Sequence, residues 1–163
     1  MIKILHARSL DQFEAGKALF LEYAESLGFD LCFQGFAEEL SNLQTVYSPP
    51  IGEMILALTD SEVIGTVGVK KFGERTCEMK RLYVKPVARK LGVGEMLVKE
   101  SILAAKRLGY QRMYLDTIRD TMKPAISLYT RYGFSEIPSY YPNPLEGVLY
   151  MELNLASARQ TID

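Results

Sequence analysis

The chain has 163 residues, enough for one compact domain, since typical domains hold about 100 to 150 residues. Hydrophobic residues make up 48% and charged residues 24%, which is the composition of a globular protein with an ordinary core. The formal net charge of −1 provides no overall positive field for nucleic acid, so a nucleic-acid partner is not expected.

Membrane, metal and redox functions also have little support in the sequence. No stretch of 18 apolar residues is present and the N-terminus lacks a signal-peptide pattern, so we expect a cytoplasmic protein with no membrane partner. The only two cysteines, Cys32 and Cys77, lack CxxC spacing, and His6 is the only histidine. We therefore expect no metal site and give His6, in an early apolar strand, a structural role.

The first half of the chain predicts two helices and then an antiparallel meander. Residues 2–7 read as a strand, and Ser9 with Gln12 has the spacing of a capping box that opens a helix ending before Gly28. Residues 36–47 predict a second, weaker helix, closed by two prolines. Three strand-like runs follow between residues 52 and 85, separated by short polar connections typical of hairpins.

The second half alternates helices and strands. The stretch VARKLGVGEML, residues 87–97, leads into a helix that ends at Gly109, and a strand, a short helix and two last strands follow. We place the domain at residues 1–155 and expect a flexible tail at 156–163. The fold class is α/β, with a mixed, mostly antiparallel sheet of six to seven strands and about four helices.

The glycine-containing stretch permits two readings. A helix N-terminus has unpaired N–H groups, and Gly92 and Gly94 let an anion approach the backbone while Arg89 and Lys90 add charge, which suits a phosphate site. A plain strand-to-helix turn has the same composition. Glu95 after Gly94 excludes a Walker loop, and Leu97 excludes a dinucleotide fingerprint.

Three segments together resemble the GCN5-related N-acetyltransferases. Arg89-Lys90-Leu91-Gly92-Val93-Gly94 is similar to the family's acyl-CoA turn, "EMKRLYVKP" to its fourth strand, and "AISLYTRYGF" to its late helix; together they span residues 77–136. The resemblance implies acetyl-CoA as cosubstrate, a splayed parallel strand pair that holds it, and a homodimer, which is common in the family. The implied acetyl-CoA-binding residues are Leu82, Tyr83, Val84, Arg89, Lys90, Leu91, Gly92, Val93 and Gly94.

Two positions depart from the family pattern. Lys90 stands where the family often has glycine after the leading arginine, and Met122 stands where a helix asparagine often contacts the CoA arm. These departures support a second reading of the chain, an inactive module that binds acyl-CoA.

The resemblance also implies two catalytic residues. Glu78 matches the general base of some members, acting through water, and strand alternation would place it on one face with Lys80, Leu82 and Val84. Its alternative is an exposed carboxylate paired with Lys80 or Arg81. Tyr129 matches the tyrosine that protonates the CoA thiolate; its alternative is a core aromatic.

The acceptor is expected to be the primary amine of a small molecule, amino-acid-like or polyamine-like, attacked directly in a ternary complex. In the family the acceptor cleft lies between the first two helices and the loop before the last strand, where this chain supplies Tyr23, Phe33, Tyr140 and Tyr141. Aromatic walls suit a small amine, although Tyr140 and Tyr141 could simply cover the sheet. The alternative enzyme acetylates a protein N-terminus or a lysine.

Overall fold

The structure is a computed structural model that describes residues 1–156. Within them the chain forms five α-helices, α1 to α5, at Leu10–Ser26, Phe36–Ser41, Leu43–Val46, Val93–Arg107 and Lys123–Arg131. Seven strands, β1 to β7, lie at Lys3–His6, Glu53–Leu58, Val63–Lys71, Thr76–Val84, Arg112–Ile118, Ser135–Ile137 and Val148–Asn154. The expected tail, residues 156–163, falls outside the described residues except for Ala156.

The strands form one mixed sheet, which confirms the predicted fold class. Its order is β1-β2-β3-β4-β5-β7-β6. All neighbouring pairs are antiparallel except β4 and β5, which are parallel because α4 carries the chain back across one face between them. No helix within the described residues is long and apolar enough to cross a membrane.

Local signals in the sequence fix most helix ends. The Ser9 side chain accepts from the Gln12 N–H, and the Gln12 side chain accepts from the Ser9 N–H, so the predicted capping box is present at the start of α1. The single helix predicted over residues 36–47 is wrong in one respect. It is interrupted at Asn42, whose φ of −129° leaves the helical region, giving α2 and α3.

A β-bulge in β4 changes which face of the sheet the side chains of this strand occupy. Gly68 of β3 pairs with Lys80, whereas Thr66 pairs with Tyr83, so β4 holds one extra residue between the same two points of β3. Arg81 lies in this bulge with a φ of 60°, an uncommon value for a residue with a side chain. The bulge reverses the side-chain alternation beyond it.

The prediction that Glu78, Lys80, Leu82 and Val84 share one face is therefore wrong. Leu82 and Val84 pack against the core under α4, whereas Lys80 contacts Gln34 on the opposite face of the sheet. Sequence alternation assumes an unbroken pleat, and the extra residue breaks it.

The parallel pair β4 and β5 is joined only at one end. Cα partners run from Thr76 with Arg112 to Glu78 with Tyr114, and no pairing follows toward Val84 and Ile118. The two strands thus separate after Glu78, which leaves unpaired backbone edges in the middle of the sheet. This is the splayed strand pair that the sequence predicted.

Candidate active site

The turn before α4 has the features of an anion site. Gly92 is the N-cap of α4 with a φ of 80° and gives it no side-chain cap, so the first N–H groups of this helix stay open. Lys90 also adopts a left-handed φ, 74°, in a conformation that glycine takes without strain. Open N–H donors therefore occur beside two cationic residues, Arg89 and Lys90, a combination that is typical of phosphate-binding turns.

A groove of about 370 Å³ runs from this turn between β4 and α5. All the predicted acetyl-CoA residues line it except Leu91, which is 60% exposed. The opposite wall is formed by Pro124, Ala125 and Leu128 of α5. Arg89 is held at this groove by its Nε, which donates to the Val84 carbonyl oxygen at 3.0 Å.

A second cavity, which we call the reaction gap, lies where β4 and β5 separate. It is about 50 Å³ and is lined by Met79, Lys80 and Arg81 of β4, by Asp116 and Thr117 of β5, by Tyr23 of α1, and by residues between the elements that include Gln34, Met122 and Asn143. Its walls combine apolar and charged groups, which is the usual make-up of a small-ligand site.

A third cavity, which we call the side cleft, opens beside the reaction gap. It is about 220 Å³ and is lined by Phe33, Gln34, Lys70, Phe72, Glu78, Lys80 and Tyr141. Gln34 and Lys80 line both cavities and therefore form the boundary between them.

Glu78 is buried, with 7% of its surface exposed, at the last paired position before the strands separate. The Tyr140 hydroxyl donates to Glu78 Oε2 at 2.7 Å. The alternative of an exposed carboxylate paired with Lys80 or Arg81 is thus wrong. Burial raises the pKa of Tyr140, and the neighbouring Glu78 carboxylate raises it further, so Tyr140 remains a hydrogen-bond donor at neutral pH.

Tyr141 ties three parts of the site together. Its hydroxyl donates to Asp116 and accepts from the side-chain amides of Gln34 and Asn143, each at 2.9 Å. These bonds connect the loop between β6 and β7 with the turn after α1, directly beside the reaction gap. Tyr140 packs within an aromatic cluster with Phe72, Tyr114, Tyr141 and Tyr150.

A buried ion pair anchors the bulge. Arg81 donates to Glu39 through Nη2 at 2.8 Å and Nε at 3.2 Å, and both side chains are only 2% exposed. Burial alone raises the pKa of Glu39, but the hydrogen bonds and charge of Arg81 outweigh burial, and the Tyr47 hydroxyl lowers this pKa further. Arg81 also donates to Gln34 Oε1 at 2.6 Å, which fixes the boundary between the two cavities.

Lys80 is a buried lysine, 6% exposed, and within residues 1–156 its one side-chain hydrogen bond is to Gln34 Oε1 at 3.3 Å. Burial lowers the pKa of Lys80, and the positive charge of Arg81 lowers it further, while Glu78 and Asp116 act in the opposite direction. Buried ionisable groups with shifted pKa values are concentrated at functional sites.

Tyr129 lies in α5 with 6% of its surface exposed, and its ring centroid is 5.7 Å from that of Phe134. Tyr129 belongs to the core cluster under α4, as the alternative reading expected. Its hydroxyl nevertheless forms no hydrogen bond with another group of residues 1–156. Burial raises the pKa of Tyr129 above its ordinary value, and Tyr23 and Asp116 raise it further, so the phenol keeps its proton.

His6 is far from this site. Its Nε2 lies 2.8 Å from Glu100 Oε1 and its Nδ1 lies 3.3 Å from Glu53 Oε2, which ties β1 to β2 and α4. No group of three or more His, Cys, Asp or Glu side chains within the described residues could hold a metal ion.

Comparisons with known proteins identify the family and the fold. The model of the Acetyltransferase (GNAT) family matches residues 18–134. The chain belongs to the GNAT family of acetyl-CoA-dependent N-acetyltransferases. It is 44% identical over 151 residues to an N-acetyltransferase of Schizosaccharomyces pombe, covering 91% of this chain and 90% of that protein.

Further GNAT proteins extend the likeness over the whole chain. An N-acetyltransferase of Dictyostelium discoideum is 29% identical over an alignment of 217 positions, which covers 95% of this chain and 99% of that protein. A solved GNAT acetyltransferase of Staphylococcus aureus Mu50 superposes with a TM-score of 0.76 at 24% identity, over 95% of this chain and 99% of that one. The likeness to the solved structure supports the GNAT fold described above.

Sequence patterns do not identify three residues of the site. Glu39 follows Glu38 in α2, and the local sequence does not indicate which of the two is buried. The sequence indicates Lys80 only as a partner of Glu78. Asp116 lies in β5 beyond the last residue that pairs with β4, so the strand pairing, and not the local sequence, determines its position at the site.

Proposed function

We propose that this GNAT enzyme transfers the acetyl group of acetyl-CoA to the primary amine of a small molecule by direct attack in a ternary complex. The observation that carries the proposal is the small size of the reaction gap. Tyr141 connects the loop between β6 and β7 to Gln34 and Asp116 beside it, leaving a cavity of about 50 Å³ with aromatic and polar walls.

The acetyl-CoA substrate is proposed to lie in the groove, with its pyrophosphate on residues 89–94. Leu82, Tyr83 and Val84, beyond the bulge, would hold the pantetheine arm along the open edge of β4. The groove leads toward the separated strands, which would bring the thioester to the reaction gap. Met122 replaces the asparagine that often contacts the CoA arm in the family, and Pro124 and Ala125, near the start of α5, line the groove wall there.

Glu78 is proposed to accept the amine proton, through a water molecule. Its carboxylate lies at the point where β4 and β5 separate and borders the side cleft, and Tyr140 fixes one of its oxygens. A positioned carboxylate of this kind contributes about 10²- to 10⁴-fold to rate as a general base.

Tyr129 is proposed to donate its proton to the CoA thiolate. The raised pKa keeps the phenol protonated, and the hydroxyl is not committed to another described group. No covalent enzyme intermediate is required, because the neutral amine attacks the thioester carbonyl directly. The C–N bond of the amide product forms, the C–S bond breaks, and the CoA thiolate leaves.

The test is an acceptor screen. Purified protein with acetyl-CoA is incubated with amino acids, polyamines and other small amines, and separately with peptides that offer a free N-terminus or a lysine; released CoA is detected with a thiol reagent. Turnover with small amines and none with peptides is expected. Turnover with peptides alone would favour the alternative, acetylation of a protein N-terminus or lysine. A cytoplasmic location and a homodimer stay predictions from sequence.

A further inference from the structure

Two carboxylates near the side cleft are already hydrogen-bonded: Glu78, which lines the cleft, and Asp116, which lines the adjoining reaction gap. The Tyr140 hydroxyl donates to Glu78 at 2.7 Å, and the Tyr141 hydroxyl donates to Asp116 at the boundary with the reaction gap. A carboxylate that accepts from a tyrosine is partly compensated for its burial and attracts a cation less strongly than a bare carboxylate does.

The ammonium groups of the same cleft have no such partners. Lys70 is the Cα partner of Glu78 across β3 and β4, and Lys80 lies two residues further along β4 on the same face. Within the part of the chain that the structure describes, neither lysine forms an ion pair with a carboxylate. Lys80 uses one of its three donors, on Gln34 at 3.3 Å.

The carboxylates thus accept hydrogen bonds from tyrosines, whereas the two lysines have no anionic partner among the described residues. This difference implies a ligand. A buried ammonium with two unused donors is costly unless an acceptor completes its shell, and an anion also favours its protonated form. Arg81 does not add to this unmatched charge, because its guanidinium already donates to Glu39 and Gln34. The unmatched charge that faces the side cleft is therefore positive.

We propose that the acceptor is an amino-carboxylate, whose carboxylate binds Lys80 and Lys70 in the side cleft while its amine reaches the reaction gap. The inference rests on the proposed function, since it names the substrate class of that same site. Lys80 and Gln34 line both cavities, so a carboxylate held there leaves the rest of the molecule directed into the reaction gap. Phe33 and Phe72 provide apolar walls for the carbon chain.

The same charges disfavour a polyamine. A second ammonium on the acceptor would lie beside Lys70 and Lys80, and like charges in a partly buried cleft repel each other. Of the two acceptor types that the sequence left open, the structure thus selects the amino-acid-like one.

The experiment compares matched pairs of acceptors. Each α-, β- and γ-amino acid is assayed against its own carboxamide, which keeps the amine and removes the negative charge, with CoA release as the readout. Hydrogen bonds to a charged group predict a preference for the acid in kcat/KM of about 10- to 100-fold for the best spacing. The carboxamide of each pair controls for general damage to the active site.

Two variants and a control locate the preference. Lys80→Met and, independently, Lys70→Met are expected to bring the ratio of acid to carboxamide close to one. Lys71→Met, an exposed neighbour whose strand position faces the other side of the sheet, is expected to keep the wild-type ratio. If Lys80→Met does not fold, Lys70→Met alone still tests the subsite.

The outcomes separate the two claims. A wild-type ratio near one, or a preference that survives both lysine variants, would overturn the amino-carboxylate assignment while leaving amine acetylation intact. Absence of CoA release with every acid, every carboxamide and all other small amines of the acceptor screen would contradict the proposed function, and the assignment with it.

Discussion

Tyr129 is the residue whose role can be isolated most cleanly. Tyr129→Phe removes only the hydroxyl, and the ring keeps its contact with Phe134 in the core. If the hydroxyl protonates the thiolate, kcat falls by about 10²-fold, the lower end of general acid catalysis, while the KM for acetyl-CoA changes little. Steady-state kinetics measure both.

Tyr132→Phe is the matched control for that variant. Tyr132 lies just after the same helix, is similarly buried at 8% exposure, and donates to Glu95 at 2.9 Å outside the reaction gap. Its loss is expected to leave kcat unchanged. Equal kinetics for Tyr129→Phe and the wild type would remove Tyr129 from the mechanism.

Lys90 combines a strained backbone with a charge at the proposed pyrophosphate site. Lys90→Gly relieves a left-handed conformation that costs about 1–2 kcal/mol but adds chain entropy to the unfolded state, so the free energy of unfolding should change by less than about 1 kcal/mol. Acetyl-CoA binding should weaken by about 3- to 10-fold, measured by calorimetry, because a cationic donor to phosphate is lost.

Lys90→Gln and Lys99→Gln complete the comparison. Lys90→Gln keeps the strained backbone and loses the charge, and it should weaken binding as Lys90→Gly does, with a smaller effect at high salt. Lys99→Gln makes the same charge change on an exposed position of α4 and should bind normally. Normal affinity in both Lys90 variants would mean that the side chain does not contact the phosphates.

At the scale of elements, α2 is joined to the bulge of β4 by the ion pair of Glu39 and Arg81. Glu39→Gln leaves the Arg81 charge buried without its carboxylate, and loss of one partner of a buried pair costs about 3–5 kcal/mol. Urea denaturation should show this loss. Glu38→Gln, in the same first turn of α2 but exposed, is the control and should change stability by less than about 0.5 kcal/mol.

A loss in Glu39→Gln no larger than in Glu38→Gln would show that the pair does not anchor the bulge. Because Arg81 also holds Gln34, the boundary between the reaction gap and the side cleft should loosen when Glu39 is lost. A raised KM for the amine with an unchanged KM for acetyl-CoA is the expected kinetic sign.

The elements also show what sequence patterns can and cannot predict. Strand and helix periodicity, the capping box of Ser9 and the turn at Gly92 act locally, so the order of elements was predicted correctly. The residues proposed to bind acetyl-CoA, except Leu91, line one groove, but their role stays a prediction. The bulge at Arg81 depends on the pairing of two strands, and alternation alone placed Leu82 on the wrong face. Burial of Glu39 depends on contacts between residues distant in sequence, which no local pattern reveals.

At the scale of the whole molecule, the two faces of the sheet have separate tasks. Under α4, a continuous apolar core holds the sheet rigid, with Val98, Ile102 and Met113 fully buried. On the opposite face, a second apolar cluster that includes Phe20, Tyr47 and Met54 packs against β2, and polar and aromatic side chains gather beside it near the separated strands. The groove proposed for acetyl-CoA and the cavities proposed for the acceptor therefore lie on different sides of the gap between β4 and β5, an arrangement that suits the proposed direct transfer.

The central claim is that the acetyl group passes to the amine of a small molecule. The most direct measurement supplies acetyl-CoA labelled with ¹³C in its acetyl group, together with a mixture of small amines and peptides, and follows the label by mass spectrometry. We predict that the label appears as an amide on a small amine that carries a carboxylate. Label on a peptide N-terminus or lysine, or only in free acetate, would contradict the account.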